Sequence, residues 1–324
     1  MNVLITSASR KVSLVKTFKR VLEHNQGGKV MAVDVNPLSP ALYFADDYFI
    51  VPFSKNPEFM KTILNLCEDF NIQLVIPTRD EELILFAQNK ERFTEIGTWV
   101  MVSDPKTIKI CQDKNLFVDF CKKNNFKIPK TYENNNNLSE LQFPLFIKPK
   151  IGKGGIQTFK ANTKGELNQI LKLVEDPIIQ EYIDAPEYTV DLFADFSGKV
   201  ISVVPRERIN VWGGESLVTK TFKNQVMIKE TVKLAENLNL LGHNTIQCFF
   251  KNNEVIFIEV NPRFGGAASL SFEAGADSPS FLIKLIEGKD LKPIIGEFKE
   301  DLIALRYVED LFIGENSLEE RRSS

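Results

Sequence analysis

The sequence predicts an α/β protein that changes style partway: a Rossmann-like N-terminal unit with a parallel sheet, then an α+β body of antiparallel strands. Up to residue 103, short continuous apolar runs alternate with helical patterns, as expected of parallel strands covered on both faces. Beyond the polar run Asn134-Asn135-Asn136-Asn137, strands of alternating character dominate and helical patterns become sparse.

Taken in order, Val3-Leu4-Ile5 is the first strand and a helical pattern follows over 12–22. Val30-Met31-Ala32-Val33 is the next strand. A helix over 59–70, the strand Leu74-Val75-Ile76, a helix over 81–93 and the strand Trp99-Val100-Met101-Val102 complete the unit. The turn Thr6-Ser7-Ala8-Ser9-Arg10 lacks the GxGxxG pattern of a dinucleotide-binding turn. Asp34 ends the second strand where a ribose-binding carboxylate would stand, but without those glycines it is a loop or substrate-side residue. Ser103-Asp104-Pro105 opens a helix that carries Asp113-Lys114 and runs to residue 125. After the asparagine run, read as an exposed loop, come strands over 144–150, 157–161, 178–183, 188–196 and 200–208, with helices over 164–174 and 226–240.

Of the 324 residues, 43% are hydrophobic and 26% charged, and 40 basic against 43 acidic side chains leave a net charge of −3. That balance gives no reason to expect a nucleic-acid or membrane partner. No stretch approaches the ~20 apolar residues of a membrane span. The start Met1-Asn2-Val3-Leu4-Ile5 has no signal-peptide pattern, and Cys67, Cys111, Cys121 and Cys248 show no paired spacing. A reducing, cytoplasmic setting is the expectation. His24 and His243 stand alone in polar, surface-like contexts and are read as structural, which disfavours chemistry built on a histidine base. The end Glu319-Glu320-Arg321-Arg322-Ser323-Ser324 is a polar tail.

Three constellations carry chemistry. In Phe143-Pro144-Leu145-Phe146-Ile147-Lys148-Pro149, followed by Gly152-Lys153-Gly154-Gly155, an apolar strand delivers a lysine and a glycine-rich turn follows. Such a turn closes backbone N–H groups on phosphate oxygens and the lysine adds point charge; an ordinary glycine-rich hairpin is the alternative. Next, Ile178-Ile179-Gln180-Glu181-Tyr182-Ile183 leads to Glu187-Tyr188-Thr189-Val190-Asp191, either a base-and-ribose contact or a hairpin with solvated charges. The sharpest is Gln247 with Glu259-Val260-Asn261-Pro262-Arg263. Glu259 and Asn261 stand two apart on a strand, roughly 6.6 Å, and present two oxygens on one face. That suits Mg²⁺ bound to a triphosphate, with Arg263 supplying fixed charge at the transferring phosphoryl group.

With these residues in place, the chain resembles the ATP-grasp superfamily, specifically the synthetase module of the carbamoyl-phosphate synthetase large subunit and biotin carboxylase. The resemblance implies a Rossmann-like N-terminal domain followed by an ATP-grasp fold with ATP between two antiparallel sheets. It implies that Lys114 and Lys148 contact ATP phosphates and that Gly152, Gly154 and Gly155 form a lid loop. Gln180, Glu181 and Ile183 would line the adenine pocket through backbone groups, and Glu187 would hold the ribose. Gln247, Glu259 and Asn261 would bind Mg²⁺ (or Mn²⁺), and Arg263, Lys148 and Glu259 would be the catalytic set. Two further segments are candidate substrate contacts: Arg206 and Arg208, flanking Glu207 on a strand, and Asp80 and Glu82, beyond the strand that ends at Pro77. Their alternatives are a charged strand edge and acids favoured at a helix N-terminus.

The resulting division is 1–103 as the Rossmann-like domain, 104–187 as linker helix and ATP-binding lid, and 188–324 as the catalytic body. The expected activity is ATP- and Mg²⁺-dependent activation of a carboxylate as an acyl phosphate, for attack by an amine, a thiol or another nucleophile. Its partners are then a small-molecule carboxylate and a nucleophilic co-substrate, with a homodimer left open. The rivals are a non-catalytic ATP- or ADP-binding regulatory module and a carbamoyl-phosphate-synthetase-like phosphotransferase acting on a small acid. Full carbamoyl phosphate synthesis is not expected of this single module, which shows neither a second ATP-grasp half nor a glutaminase domain. Two structural expectations follow: a mobile loop over 150–157, and a hairpin around Asn252-Asn253 whose odd loop, or an equivalent bulge, sets Gln247 opposite Glu259.

Overall fold

The computed structural model describes residues 1–25, 27–132, 141–152 and 156–315; the asparagine run, Gly154, Gly155 and the polar tail lie outside these. Continuous apolar segments make the first layer. β1 (Asn2–Ile5), β2 (Val30–Asp34), β3 (Asp47–Ile50), β4 (Ile72–Ile76) and β5 (Trp99–Val100) form one sheet in the order β3-β2-β1-β4-β5. Every pairing in it is parallel. One face, with Val3, Ile5, Ala32 and Ile76, packs on α1 (Val12–His24) through Leu14, Val15, Phe18 and Leu22. The other face, with Leu4, Val33 and Val75, packs on α2 (Phe59–Asp69), α3 (Asp80–Gln88) and α4 (Lys90–Glu95). Burial on both faces is why these strands read as unbroken apolar runs. The single helix expected over 81–93 divides at Asn89 into α3 and α4.

The helix expected from Asp104 onward also divides. α5 (Pro105–Gln112) and α6 (Lys114–Lys123) meet at Asp113, which is extended and caps α6 by accepting from the backbone N–H of Asn115 (2.9 Å) and Leu116 (3.2 Å). The second sheet is antiparallel: β6 (Thr131–Tyr132), β7 (Leu145–Pro149), β8 (Phe159–Ala161) and β9 (Pro177–Glu181), in the order β6-β9-β7-β8. Leu167 of α7 (Lys164–Ile170) joins Leu145, Ile147, Ala161 and Ile179 in its small core.

The third sheet is also antiparallel and holds six strands: β10 (Glu187–Ala194), β11 (Val200–Trp212), β12 (Glu215–Thr221), β13 (Gly242–Lys251), β14 (Glu254–Asn261) and β15 (Ile303–Leu305). Their order is β14-β13-β10-β11-β12-β15. Between β12 and β13 runs α8 (Gln225–Leu238), whose Met227, Leu234 and Leu238 cover Val190, Leu192, Ile246, Cys248 and Val260. α9 (Ser269–Glu273) and α10 (Ser278–Ile286) return the chain toward the first layer. There Phe264, Phe272, Leu282 and Ile283 share one core with β1 and α1, so α1, α9 and α10 join the first sheet to the third. The expected order, a Rossmann-like layer followed by two antiparallel sheets, is what the chain adopts. Among the described residues no helix is long and apolar enough to cross a membrane.

Candidate active site

One face of the six-stranded sheet is apolar; the site occupies the other. Period-two alternation and the pairing of β10 with β11 and β13 place Glu187, Thr189 and Asp191 beside Arg208, Arg206, Gln247 and Thr245 on that face. Glu259 and Asn261 of β14 join them only because of an irregularity. The β13–β14 hairpin closes on the two residues Asn252 and Asn253, with Lys251 paired to Glu254. Both asparagines are left-handed (φ 51° and 61°), as a tight hairpin of this length requires. The three-residue loop, with Lys251 paired to Val255, is therefore not what forms. With a two-residue turn and regular pairing, Glu259 would face the apolar core. Instead the register shifts beyond the Cys248–Phe257 pair, Ile258 is left as the extra residue, and Gln247 stands opposite Glu259 and Thr245 opposite Asn261. The bulge, offered as the alternative to an odd loop, does the work.

Gln247 sits between two carboxylates. With its amide oxygen toward Arg208 Nη1 (3.2 Å), its nitrogen donates to Glu187 Oε1 (3.2 Å) and Glu259 Oε1 (3.3 Å). Asn261 Nδ2 also donates to Glu259 Oε1 at 3.0 Å. Burial raises the pKa of Glu187; Arg208 opposes this and Glu259 adds to it. Glu259 and two amides converge here beside Glu187, an all-oxygen donor set once the Gln247 and Asn261 amides turn their oxygens inward, and like charges meet in partly buried surroundings. That set fits a hard divalent cation that keeps its own waters.

The four-stranded sheet and the start of α6 supply the opposing cations. Lys148 of β7 is 6% exposed, and its ammonium makes no hydrogen bond among the described residues. Burial lowers its pKa to about 8, against the pull of Glu259 and with Lys114 adding repulsion. Lys114, at the start of α6, donates to the carbonyls of Lys150 (3.3 Å) and Gly152 (3.1 Å) and is also lowered by burial. Two ammonium groups facing carboxylates across a gap leave room for anionic ligand oxygens. At the strand edge, Gln180 is 4% exposed and bonds Thr131 Oγ1 (3.0 Å), while Glu181 bonds the Lys130 N–H (2.8 Å). The Gln180 side chain is thus turned into the protein, and that of Glu181 back onto the segment leading to β6. The backbone N–H of Ile183, just past the strand, has no partner among the described residues.

Arg263 closes the site toward the first layer. Its Nε and Nη2 bond the two oxygens of Asp80 at 2.8 and 2.6 Å, and Nη2 also reaches Asn261 Oδ1 (3.2 Å). Burial works against its charge, but Asp80 overcomes that and holds its pKa above the ordinary value. Asp80 therefore orients Arg263, while the other three substrate candidates are engaged inside the protein. Glu82 is 1% exposed and accepts from Thr6 Oγ1, Ser7 Oγ, Thr78 N and Arg79 N, all within 3.1 Å. It ties the ends of β1 and β4 together, so it is not open to a substrate. Arg206 is 2% exposed and pairs with Asp191 (2.8 Å). Arg208 pairs with Glu187 (3.1 Å) and bonds the Gly214 carbonyl (3.0 Å). The expected two-arginine clamp does not form, because each arginine already holds a carboxylate of β10.

Other readings are corrected too. His243 is not surface-like: it is 1% exposed, stacks on Phe264 with ring centres 4.3 Å apart, and bonds Ser278 Oγ through Nδ1 (2.9 Å). Asp34 is buried and accepts from the N–H groups of Ser9 (2.8 Å) and Asn36 (3.0 Å), shaping the turn after β1. Sequence reasoning missed Lys11, Glu215 and Arg306, which come from three distant segments: the charges of Arg263 and Glu215 act on Lys11, and Arg306 Nη1 lies 2.8 Å from Glu215 Oε2.

Comparison with known proteins matches the chain to two family models. The PylC-like N-terminal domain covers residues 3–101 and the ATP-grasp domain covers residues 111–267. The carbamoyl phosphate synthase large chain of Caldanaerobacter subterraneus subsp. tengcongensis is 29% identical over 210 residues, 58% of this chain and 20% of that protein. The formate-dependent phosphoribosylglycinamide formyltransferase of Prochlorococcus marinus subsp. pastoris is 28% identical over 258 residues, 73% of this chain and 64% of that one. The chain thus spans about a fifth of the first relative and under two thirds of the second. In fold it is similar to the biotin carboxylase domain of Hydrogenobacter thermophilus 2-oxoglutarate carboxylase, solved with MgADP, ADP and bicarbonate. That likeness has a TM-score of 0.72 at 15% identity and covers 93% of this chain and 73% of that one.

Proposed function

We propose that this chain, which belongs to the ATP-grasp superfamily, is an ATP-dependent ligase that activates a small carboxylate as an acyl phosphate. The observation that carries the reading is the Ile258 bulge, which turns Glu259 out of the core to join Gln247 and Asn261 opposite Lys148. A structural hairpin has no need to spend its regularity on exposing a carboxylate.

In this reading ATP lies between the four- and six-stranded sheets. Lys148 and Lys114 face the phosphates, the Ile183 N–H offers a donor to the base, and Glu187 faces the ribose. Gln247, Glu259 and Asn261 would hold Mg²⁺, which would neutralise phosphate charge when bound. A substrate carboxylate oxygen attacks the γ-phosphorus, the bond to the β-phosphate oxygen breaks, and ADP leaves. Arg263, fixed by Asp80, stabilises charge on the transferring group. A nucleophile such as an amine then attacks the acyl carbon, releasing phosphate and a proton. The formate dependence named for one relative and the bicarbonate bound to one structural neighbour support a small acid as substrate.

Release of ADP and phosphate, measured against a panel of carboxylates with and without amines, tests the reading. ADP formation that requires both a carboxylate and a nucleophile supports a ligase. Formation that requires the acid alone makes the chain a phosphotransferase, and nucleotide binding without turnover makes it a regulatory module.

A further inference from the structure

The first layer brings its own cation to the site. Lys11 lies between β1 and α1, at the carboxyl end of β1. In the order β3-β2-β1-β4-β5 the chain winds outward in opposite directions from β1 and β4, and open parallel sheets place ligands at such a switch point. Ser7 and Ser9, in the same turn, both hold positive φ (48° and 47°), a conformation that non-glycine residues adopt at some cost.

The ammonium of Lys11 makes no hydrogen bond or ion pair among the described residues, although its turn is set among acids: Ser7 Oγ donates to Glu82 Oε2 (2.8 Å), Arg10 Nη2 lies 3.7 Å from Glu215 Oε1, and the charges of Arg263, Glu82, Glu215 and Asp80 all act on it. Each of those acids has other partners: Glu82 the four donors of the β1 and β4 turns, Asp80 both bonds from Arg263, Glu215 the Arg306 guanidinium at 2.8 Å. Burial lowers the Lys11 pKa to about 8, and Arg263 acts in the same direction. Two neighbouring cations with restricted hydration are stabilised by an anion placed between them. The far wall is tight. A Cβ on Gly266 would come 3.0 Å from Glu215 Oε2, and one on Gly265 would come 2.7 Å from Thr245 Oγ1. The turn after Arg263 thus lies flat against that wall and puts no side chain of its own between Arg263 and the Glu215–Arg306 pair.

Resting on the ligase reading above, we infer that Lys11 is a specificity residue contributed by the first layer: its ammonium and the Arg263 guanidinium together hold the substrate carboxylate to be phosphorylated. ATP phosphates are served from the other side, by Lys148 and Lys114.

Amine acylation of the whole chain, read by mass spectrometry, tests this. MgADP should shield Lys148. Added on top of MgADP, a panel of small carboxylates from formate and bicarbonate to the amino acids, with reagent in excess, should include at least one that slows Lys11 labelling about tenfold, the effect of roughly one ion-paired contact. Loss of Lys148 shielding would overturn the nucleotide reading and this inference with it. Shielding of Lys148 with no carboxylate protecting Lys11 would overturn this inference alone. Lys11→Met should raise KM for the protecting carboxylate about tenfold at unchanged MgADP affinity, with partial recovery in Lys11→Arg. A fall in MgADP affinity instead would place Lys11 on the phosphates and reject the assignment.

Discussion

Asp80 and Arg263, 183 residues apart in sequence, meet through two hydrogen bonds of 2.6 and 2.8 Å and fix the first layer to the end of β14. Arg263 cannot swing freely while that fork is closed. Asp80→Asn keeps the shape but removes the charge, and turnover should fall ~10-fold or more with little change in KM for ATP. Steady-state kinetics on the most active carboxylate of the panel would check it; an unchanged kcat would remove Arg263 orientation from the mechanism.

Glu259→Gln should leave the hairpin intact, because the bulge is set by pairing and not by the carboxylate. Turnover should drop by ~10²–10³, the range seen when a charged contact at a reacting centre is lost. Near-normal ATP-dependent activity in this variant would refute its role at the metal.

Lys148→Met separates stability from function. The wild-type ammonium is buried without a hydrogen-bond acceptor among the described residues, so removing its charge should leave the melting temperature unchanged or raise it when nucleotide is absent. MgADP affinity should fall ~10-fold or more. Calorimetric titration beside thermal melts would read both, and a variant that melts lower and still binds MgADP normally would reverse the assignment.

The His243 cluster predicts acid sensitivity. Burial lowers the His243 pKa from 6.5 to about 4, outweighing the attraction of Asp191, whose Oδ1 lies 3.8 Å from Nε2. Burial alone would raise the Asp191 carboxyl, but Arg206 and His243 hold it below its ordinary value. Between pH 6.5 and pH 4 the unfolded chain binds the histidine proton and the folded chain does not. Stability is thus complete above pH 6.5 and declines as pH falls toward 4, by an amount on the order of 3 kcal/mol. Melting temperatures across that window should drop in the wild type and drop less steeply in His243→Gln; equal slopes would assign the sensitivity elsewhere.

What could be read ahead of the structure follows from local physics. Runs such as Val3-Leu4-Ile5 and Leu74-Val75-Ile76 declare buried strands because both faces are covered. Glu259-x-Asn261 declares a shared face because strand alternation is local. β3 was missed because all of its residues are only partly buried or exposed, so no apolar run marks it. The breaks at Asn89 and Asp113 were missed because the apolar pattern continues across them. Glu82 and Arg206 look like solvent-facing charges until the fold supplies four donors to one and Asp191 to the other. Lys11, Glu215 and Arg306 carry no common motif; only chain crossing assembles them.

The core that joins β1 and α1 to Phe264, Phe272, Leu282 and Ile283 also limits modular exchange. A protein built by grafting residues 111–267 onto another N-terminal unit would bring its sheet and its ligand-facing carboxylates intact. It would leave the aromatic underside of the Arg263 turn without the helix it packs on, and would lose Asp80 and Lys11 at once. For recombination, natural or engineered, the useful seam therefore lies around the four-stranded sheet and not near residue 101, where the two family matches divide.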